Sequence, residues 1–262
     1  MRTVINLVLS AYYHYRALFP WLNWWAFAAN AAVRPALMVA LFSLLGRYVG
    51  DAGAAQSYAV GLAAHSMVWV LSGGVIQSAV GDRAGGTLTL SLAASGSRAA
   101  LYFSKGVLHA PGSLLPVAVS LAAGWLFLGL PFASVHWGLL IVATLTMAAS
   151  LTAFMLFVAN LAVVAQNWDS FRSIVAGGFL ALSGVVIPTS ALPMGLRELS
   201  ATLPISHGLS AFRGSFEGMP FSVASETLIA EAVVMVAHAI GGYLLFRVLA
   251  QISRRTGGLI TD

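Results

Sequence analysis

The sequence predicts an all-α protein that crosses a membrane six times, and three observations carry that expectation. Hydrophobic residues make up 59% of the chain and charged residues 8%, with a mean hydropathy of +0.88. That balance leaves a soluble domain of this length too little charge for its surface. Apolar runs of the length that crosses a bilayer core, about 20 residues as a helix, recur from one end to the other. The short alternating segments of a membrane barrel are missing, and a helix satisfies its own backbone groups in lipid. The absence of cysteine excludes disulfides, thiolate metal sites and cysteine nucleophiles. The formal charge is +5, but the basic residues are scattered, as loop charge biased to one side of a membrane would scatter them. Nucleic acid is therefore not an expected partner.

Residues 1–20 read as an uncleaved interfacial helix. Val4, Leu7, Val8, Tyr12 and Tyr15 share a face, with Arg2, Asn6, His14 and Arg16 elsewhere. Trp21, Trp24 and Trp25 resemble an aromatic belt at the start of span one, within about 21–45. Arg34-Pro35 falls inside this stretch. The preferred reading is an interfacial helix that turns into the membrane near 30–35; the alternative takes Arg34 into the bundle or lets it snorkel. Residues 46–56 form a short polar loop before span two, 57–80. A polar segment, 81–106, leads to span three, about 107–130, with Pro111 and Pro116 early in it. PFASVH is a short turn before span four, 136–165. QNWDSFR connects to span five, about 173–187. A proline-rich insert reaches about 225, and span six covers 226–249.

Six spans put both termini on one side. That side holds Arg2, Arg16, Arg83, Arg98, Lys105, Arg172, Arg247, Arg254 and Arg255, against Arg47, Arg197 and Arg213 opposite. Nine against three makes the termini cytoplasmic and the insert extracytoplasmic. No soluble portion is long enough to stand apart, so residues 1–262 are expected to be one domain.

Two segments carry most of the functional content. In 81–106, Asp82 and Arg83 precede Gly85-Gly86 and then TLTLSLAAS, where Leu88 and Leu92 lie four apart on one helical face. This is either a plain interfacial linker or a short helix that docks into a partner. In 185–208, Pro188, Pro193 and Pro204 cluster with Arg197, Glu198 and His207. A phosphate loop needs G-x-x-x-x-G-K-[ST], and the single lysine, Lys105 in YFSKG, does not sit in one. Any nucleotide hydrolysis belongs to another polypeptide. Glu231, His238, His65 and His109 could form a proton relay, but they share no repeated spacing, and helix packing explains them more simply. No metal-ligand spacing and no G-x-S-x-G setting occur.

Three stretches resemble the ABC type-2 exporter permeases, the membrane subunits of ATP-binding cassette exporters. They are NAAVRPALMVALFSLLG, GDRAGGTLTLSLAASGSRAALYFSKG, and LSGVVIPTSALPMGLRELSATLPISHGLSAFRGSFEG over 182–218. The last is similar to the family's run of a proline after span five, Leu-Pro, a Pro-x-x-His/Tyr-Gly step and a final Arg…Gly. The second ends AASGSR where the family usually has proline. The resemblance implies a permease for an amphipathic or hydrophobic, drug- or antibiotic-like substrate, in a bacterial plasma (inner) membrane. Lipid-linked glycan or teichoic-acid export is the alternative within the class; a proton-coupled carrier or membrane enzyme is the alternative outside it. It implies a dimer with a like or related permease chain and two cytosolic ATPase subunits that bind ATP and Mg, with no cofactor in this chain. It assigns ATPase coupling, through a helix between spans two and three, to Asp82, Arg83, Gly86, Thr87, Leu88, Leu90, Ser91 and Leu92. It assigns an extracytoplasmic gate, a re-entrant helical hairpin between spans five and six, to Pro188, Leu192, Pro193, Pro204 and His207. The three prolines would end span five and start two short helices. Spans one, two and five would line the passage, offering Phe42, Trp69, Gly73 and Phe179.

Overall fold

The computed structural model describes residues 24–49, 52–86, 98–107, 109–164 and 168–256. Among them the regular structure is helical, with no strand. The expected interfacial helix over 1–20 and the stretch Thr87–Leu92 lie outside the described residues.

Helix α1 (Trp24–Val49) runs unbroken through Pro35. The expected turn into the membrane near 30–35 is not observed; the apolar part, Ala31–Tyr48, simply continues the helix. Arg34 finds a place at the open side of the bundle by stacking its guanidinium over Trp69, 3.3 Å from the ring centroid.

Span two is α2 (Ala52–Leu71), a π-helical segment Ser72–Ile76, and α3 (Gln77–Ala84). Its apolar stretch is 83% buried, against 17% for the last span, so α2 is the axis around which the others pack. Ala55, Ala59, Ala63 and Met67 recur every four residues and are buried, the spacing of one helical face. Such small side chains bring neighbouring backbones close. Gly86, at φ +67, ends α3: the amides of Gly85 and Gly86 return to the Gly81 and Arg83 carbonyls, as a left-handed glycine allows.

Span three begins earlier than expected, in α4 (Arg98–Val107), and continues through α5 (His109–Gly112) and α6 (Leu114–Leu128). Pro116 occupies the first turn of α6, where a missing amide costs nothing. Gly129 closes α6 at φ +65, its amide donating to Gly124 and Trp125 carbonyls. A 3-10 turn, Phe132–Ser134, leads to α7 (Trp137–Val164).

Among the described residues five helical stretches are long and apolar enough to span a bilayer; the fifth expected span is the exception. It is α8 (Trp168–Leu182), whose apolar part is Ser170–Leu182. Fifteen residues rise about 22 Å, short of a core of roughly 30 Å. The helix stops after Leu182 because Gly184 adopts φ +81, not because of Pro188. Residues 183–187, expected to be helical, are bent backbone. The insert then folds into a 3-10 turn Thr189–Ala191, α9 (Met194–Thr202) and α10 (Gly208–Gly214). Last comes α11 (Phe221–Thr256), 36 residues packed along α7. One core joins these helices, from Val39 through Ala250.

Candidate functional site

At one end of the bundle, the roots of the 87–97 connection are fastened. The Lys105 ammonium on α4 donates to Asp82 Oδ2 on α3 at 2.7 Å, with both side chains buried. Arg83, beside it, donates to the Val163 carbonyl at 2.7 Å, where α7 ends and its last carbonyls have no helical partner. Asp82 and Arg83 thus face into the protein and fix where the connection leaves and re-enters it. The spacing of twenty-three residues between the only lysine and an aspartate gave no sequence signal of this pair.

The π segment lies about two turns further along the same span. There the His109 imidazole fills the space over Gly74, so close that a Cβ on Gly74 would overlap the ring. Its Nε2 is 3.1 Å from Ser78 Oγ.

At the opposite end the proline-rich insert is held from below. Glu231 on α11 is completely buried. Its Oε1 accepts the Ile205 N–H at 2.8 Å and its Oε2 the Gly208 N–H at 2.9 Å. The second donor opens α10, where amides lack helical acceptors and a negative charge is favoured. Ile205 takes φ +76, a conformation costing a non-glycine residue on the order of 1–3 kcal/mol, and its side chain is fully buried. Gly208 abuts Met147 and Glu231 so tightly that a Cβ would overlap Met147. Met147 and Glu231 each lie ten residues inside α7 and α11, counted from Trp137 and Phe221. At about 1.5 Å per residue, the turn before α10 reaches roughly 15 Å into the bundle.

Arg213 completes the clasp. Its guanidinium donates to the Gly184 and Val185 carbonyls at 3.0 and 2.9 Å, satisfying the bent backbone after α8. Gly61 on α2 makes room, since a Cβ there would lie 2.6 Å from the Val185 oxygen and 2.8 Å from the guanidinium.

The sequence-derived gate residues divide between these helices. Pro193 starts α9 as expected. Pro188 starts the 3-10 turn rather than ending α8, and Pro204 is buried in the turn before α10. Leu192 is buried. His207 donates from Nε2 to the Ala201 carbonyl at 2.9 Å, bracing α9 against the turn. Glu231 and Arg213 carry the anchoring. The sequence signal for Glu231 was present: a carboxylate inside an apolar span requires buried donors.

Between α1, α2 and α8 lies a cavity of about 80 Å³. Arg34, Arg172 and Trp69 line it, with His65, Ser66 and Met38. Of the expected passage residues, Trp69 faces this cavity, and Gly73 lies next to the Arg172 guanidinium. Phe42 is half-buried against the core. Phe179 is not a lining residue: it is 2% exposed and stands edge-on to Phe154 at 5.2 Å.

A family model described as ABC-2 type transporter matches residues 6–216. The chain belongs to the ABC-2 type transporter family. No curated protein matches it. The match spans all three clusters except Glu231, which lies beyond it on α11. The chain is thus a multi-pass ABC-2 permease, the membrane subunit of a transporter whose family works with a separate ABC ATPase. Within this permease, Asp82, Arg83 and Gly86 shape the root of the α3–α4 connection. Thr87, Leu88, Leu90, Ser91 and Leu92, the remainder of the coupling set, are outside the described residues. The four groups considered for a proton relay do not converge. Glu231 is occupied by two amides, His238 Nδ1 lies 2.9 Å from the Val234 carbonyl oxygen, His109 meets Ser78, and His65 lines the cavity.

Proposed function

We propose that this ABC-2 permease is the membrane half of an exporter in a bacterial plasma membrane. In this reading it dimerises with a like or related chain to form a passage for an amphipathic or hydrophobic cargo. Two cytosolic ATPase subunits, which bind ATP and Mg, supply the energy. Both termini and the α3–α4 connection face the cytoplasm, and the α9–α10 insert faces outward.

The observation that carries the reading is the clasp on the insert. Buried side chains hold an irregular turn roughly 15 Å inside the bundle, by the helix rise counted above. Non-helical backbone at membrane depth persists where protein surrounds it, so α9–α10 acts as a re-entrant hairpin closing the outer end of the passage. The Asp82–Lys105 pair supports the coupling role, because a docked loop transmits force only if its roots are rigid. A proton-coupled carrier loses support from the same geometry, since both oxygens of the most buried acid are engaged by backbone amides.

The test is co-purification of the chain in nanodiscs with candidate ABC ATPase subunits from the same genome, followed by an ATPase assay. Leu88→Asp is the informative variant. A stable assembly whose ATPase rate shifts on association, and which Leu88→Asp dissociates while the permease stays folded, is the expected result. A folded permease that associates with no ATPase refutes it.

A further inference from the structure

We propose that Arg98 on α4 and Arg247 on α11 form a clamp for the phosphate of an acidic phospholipid, at the end of the bundle where the α3–α4 connection leaves it. Gly106 on α4 adjoins Thr152 and Leu156 on α7. One turn further along α7, Asn160 bonds the Gly242 carbonyl, and Gly242 faces the hydroxyl of Tyr102. So α4 steps backward where α7 and α11 step forward, and α4 and α11 are antiparallel. They meet through aromatic rings: Tyr102 lies 6.0 Å from Tyr243 and 5.2 Å from Phe246, and Phe103 stacks on Tyr243 at 6.3 Å, between centroids. Arg98 precedes Tyr102 by four residues and Arg247 follows Tyr243 by four. Each arginine is one turn from the ring layer, about 6 Å along its own helix. Because the helices are antiparallel, both steps lead to the same end, and the two arginines stand at one level on either side of one seam. Arg247 is exposed and Arg98 half-buried. The sequence offers them no acid: none occurs between Asp82 and Asp169 or between Glu231 and Asp262, and Asp82 is engaged by Lys105. Like charges at one level repel. A phosphate whose oxygens accept from both guanidinium forks converts that repulsion into attraction.

What adjoins the arginines identifies the source of the phosphate as the bilayer. On α11, Leu244, Ile240, Val236 and Val233 lie three, seven, eleven and fourteen residues before Arg247. All four are exposed and at this spacing share one helical face. An acyl chain laid along that stripe ends with its phosphate at Arg247. Phe103 and Tyr243, half-buried beside it, are an aromatic layer of the kind that sits where hydrocarbon gives way to headgroups. A headgroup with net negative charge is selected, because the ammonium of a zwitterionic one would add a third cation to the pair. The lipid ties α4, the root of the α3–α4 connection, to α11. The inference takes from the permease reading only which leaflet supplies the lipid; the binding itself does not depend on it.

The test uses the full chain in nanodiscs. Because the chain has no cysteine, Ile240→Cys gives a single site for a bimane label, two turns from Arg247 along the stripe. Quenching by phosphatidylglycerol carrying a mid-chain nitroxide is compared with quenching by the same phosphatidylcholine, and the ratio reads the local lipid preference. An arginine near an anionic surface is worth about fivefold, so two should favour phosphatidylglycerol on the order of 25-fold. Arg98→Gln and Arg247→Gln should each lower the preference about fivefold, and the double variant should bring it close to equality. Leu161→Cys, exposed on α7 next to the residue that bonds Gly242, is the control probe at the same depth and should favour neither lipid. Unfolding midpoints verify that the variants are folded, and methionine, which keeps the aliphatic stem, replaces glutamine where one is not. Equal quenching by the two lipids at Ile240, the same preference at both probes, or a preference that survives the double variant overturns the proposal. Loss of ATPase assembly in the double variant, with no lipid preference at Ile240, also overturns it and assigns the arginines to the ATPase. Lost lipid preference with ATPase assembly intact removes only this inference, and lipid preference without ATPase assembly removes only the permease reading.

Discussion

Replacing Glu231 by glutamine should release the turn before α10 without unfolding the bundle. In the native chain each carboxylate oxygen accepts one backbone amide, from Ile205 at 2.8 Å and Gly208 at 2.9 Å. Glutamine keeps the shape and one acceptor, but its NH2 group faces the other amide, donor against donor. The loss is one charge-assisted bond plus one buried donor left without an acceptor, together about 3 kcal/mol, or on the order of 100-fold in the opening equilibrium of that turn. The cost falls locally because Ile205 is already strained at φ +76 and relaxes once freed. Hydrogen–deuterium exchange of the detergent-solubilised protein reads this directly, since local opening sets the exchange of protected amides. Exchange over 203–209 should accelerate on the order of 100-fold by the same conversion, with α7 unchanged away from Met147. Glu231→Asp, one methylene shorter, should fall between the two. Unaltered exchange over 203–209, or an acceleration spread evenly along α7 and α11, would refute the assignment of Glu231 as the anchor.

Three other outcomes are expected. Lys105→Met or Asp82→Asn alone should lower stability by about 3–5 kcal/mol, because each leaves a buried group without its partner; the double variant should recover most of it, as measured by thermal unfolding in detergent. Gly61→Ala should displace the Arg213 guanidinium from the Gly184 and Val185 carbonyls, and Arg213→Met should reproduce its effect, each at about 2–3 kcal/mol for charge-assisted bonds lost and carbonyls left bare; coincident exchange patterns over 183–187 are the check. Gly74→Ala should force the His109 ring off Ser78, and His109→Ala in that background should restore part of the midpoint, since the added methyl then has space.

The helical class and the place of five apolar spans, though not their exact boundaries, were legible because lipid imposes a coarse requirement: about 20 apolar residues in an internally bonded helix. That rule carries no information on whether a helix runs on. It could not distinguish a bend at Pro35 from a helix continuing through it, which the stacking of Arg34 on Trp69 accompanies. It assigned 183–187 to span five because SGVVI is apolar, whereas a left-handed Gly184 and the donors of Arg213 hold it bent. The gate prolines were legible as helix starts, correctly for Pro193. Glu231 stood out as a carboxylate in an apolar span, but its partners did not, because it is 23 residues from Gly208 in sequence and only the fold brings them together. Lys105 was weighed as a phosphate-loop lysine, and its real partner, Asp82, was weighed as part of a docking motif. Phe179 was placed on the passage for being aromatic on span five, and packing against Phe154 assigns it to the core.

The π segment at Ser72–Ile76 gives span two a place where its length is negotiable. A π turn holds about one residue more than an α turn, so it stores a surplus residue while the helix on either side keeps its orientation. Deleting one residue from Ser72–Ile76 would convert the bulge to ordinary helix and leave Asp82 pointing at Lys105. The same deletion elsewhere in α2 would rotate everything below it by about 100° and swing Asp82 away. Related chains that differ by a single residue in this span should therefore carry the difference here.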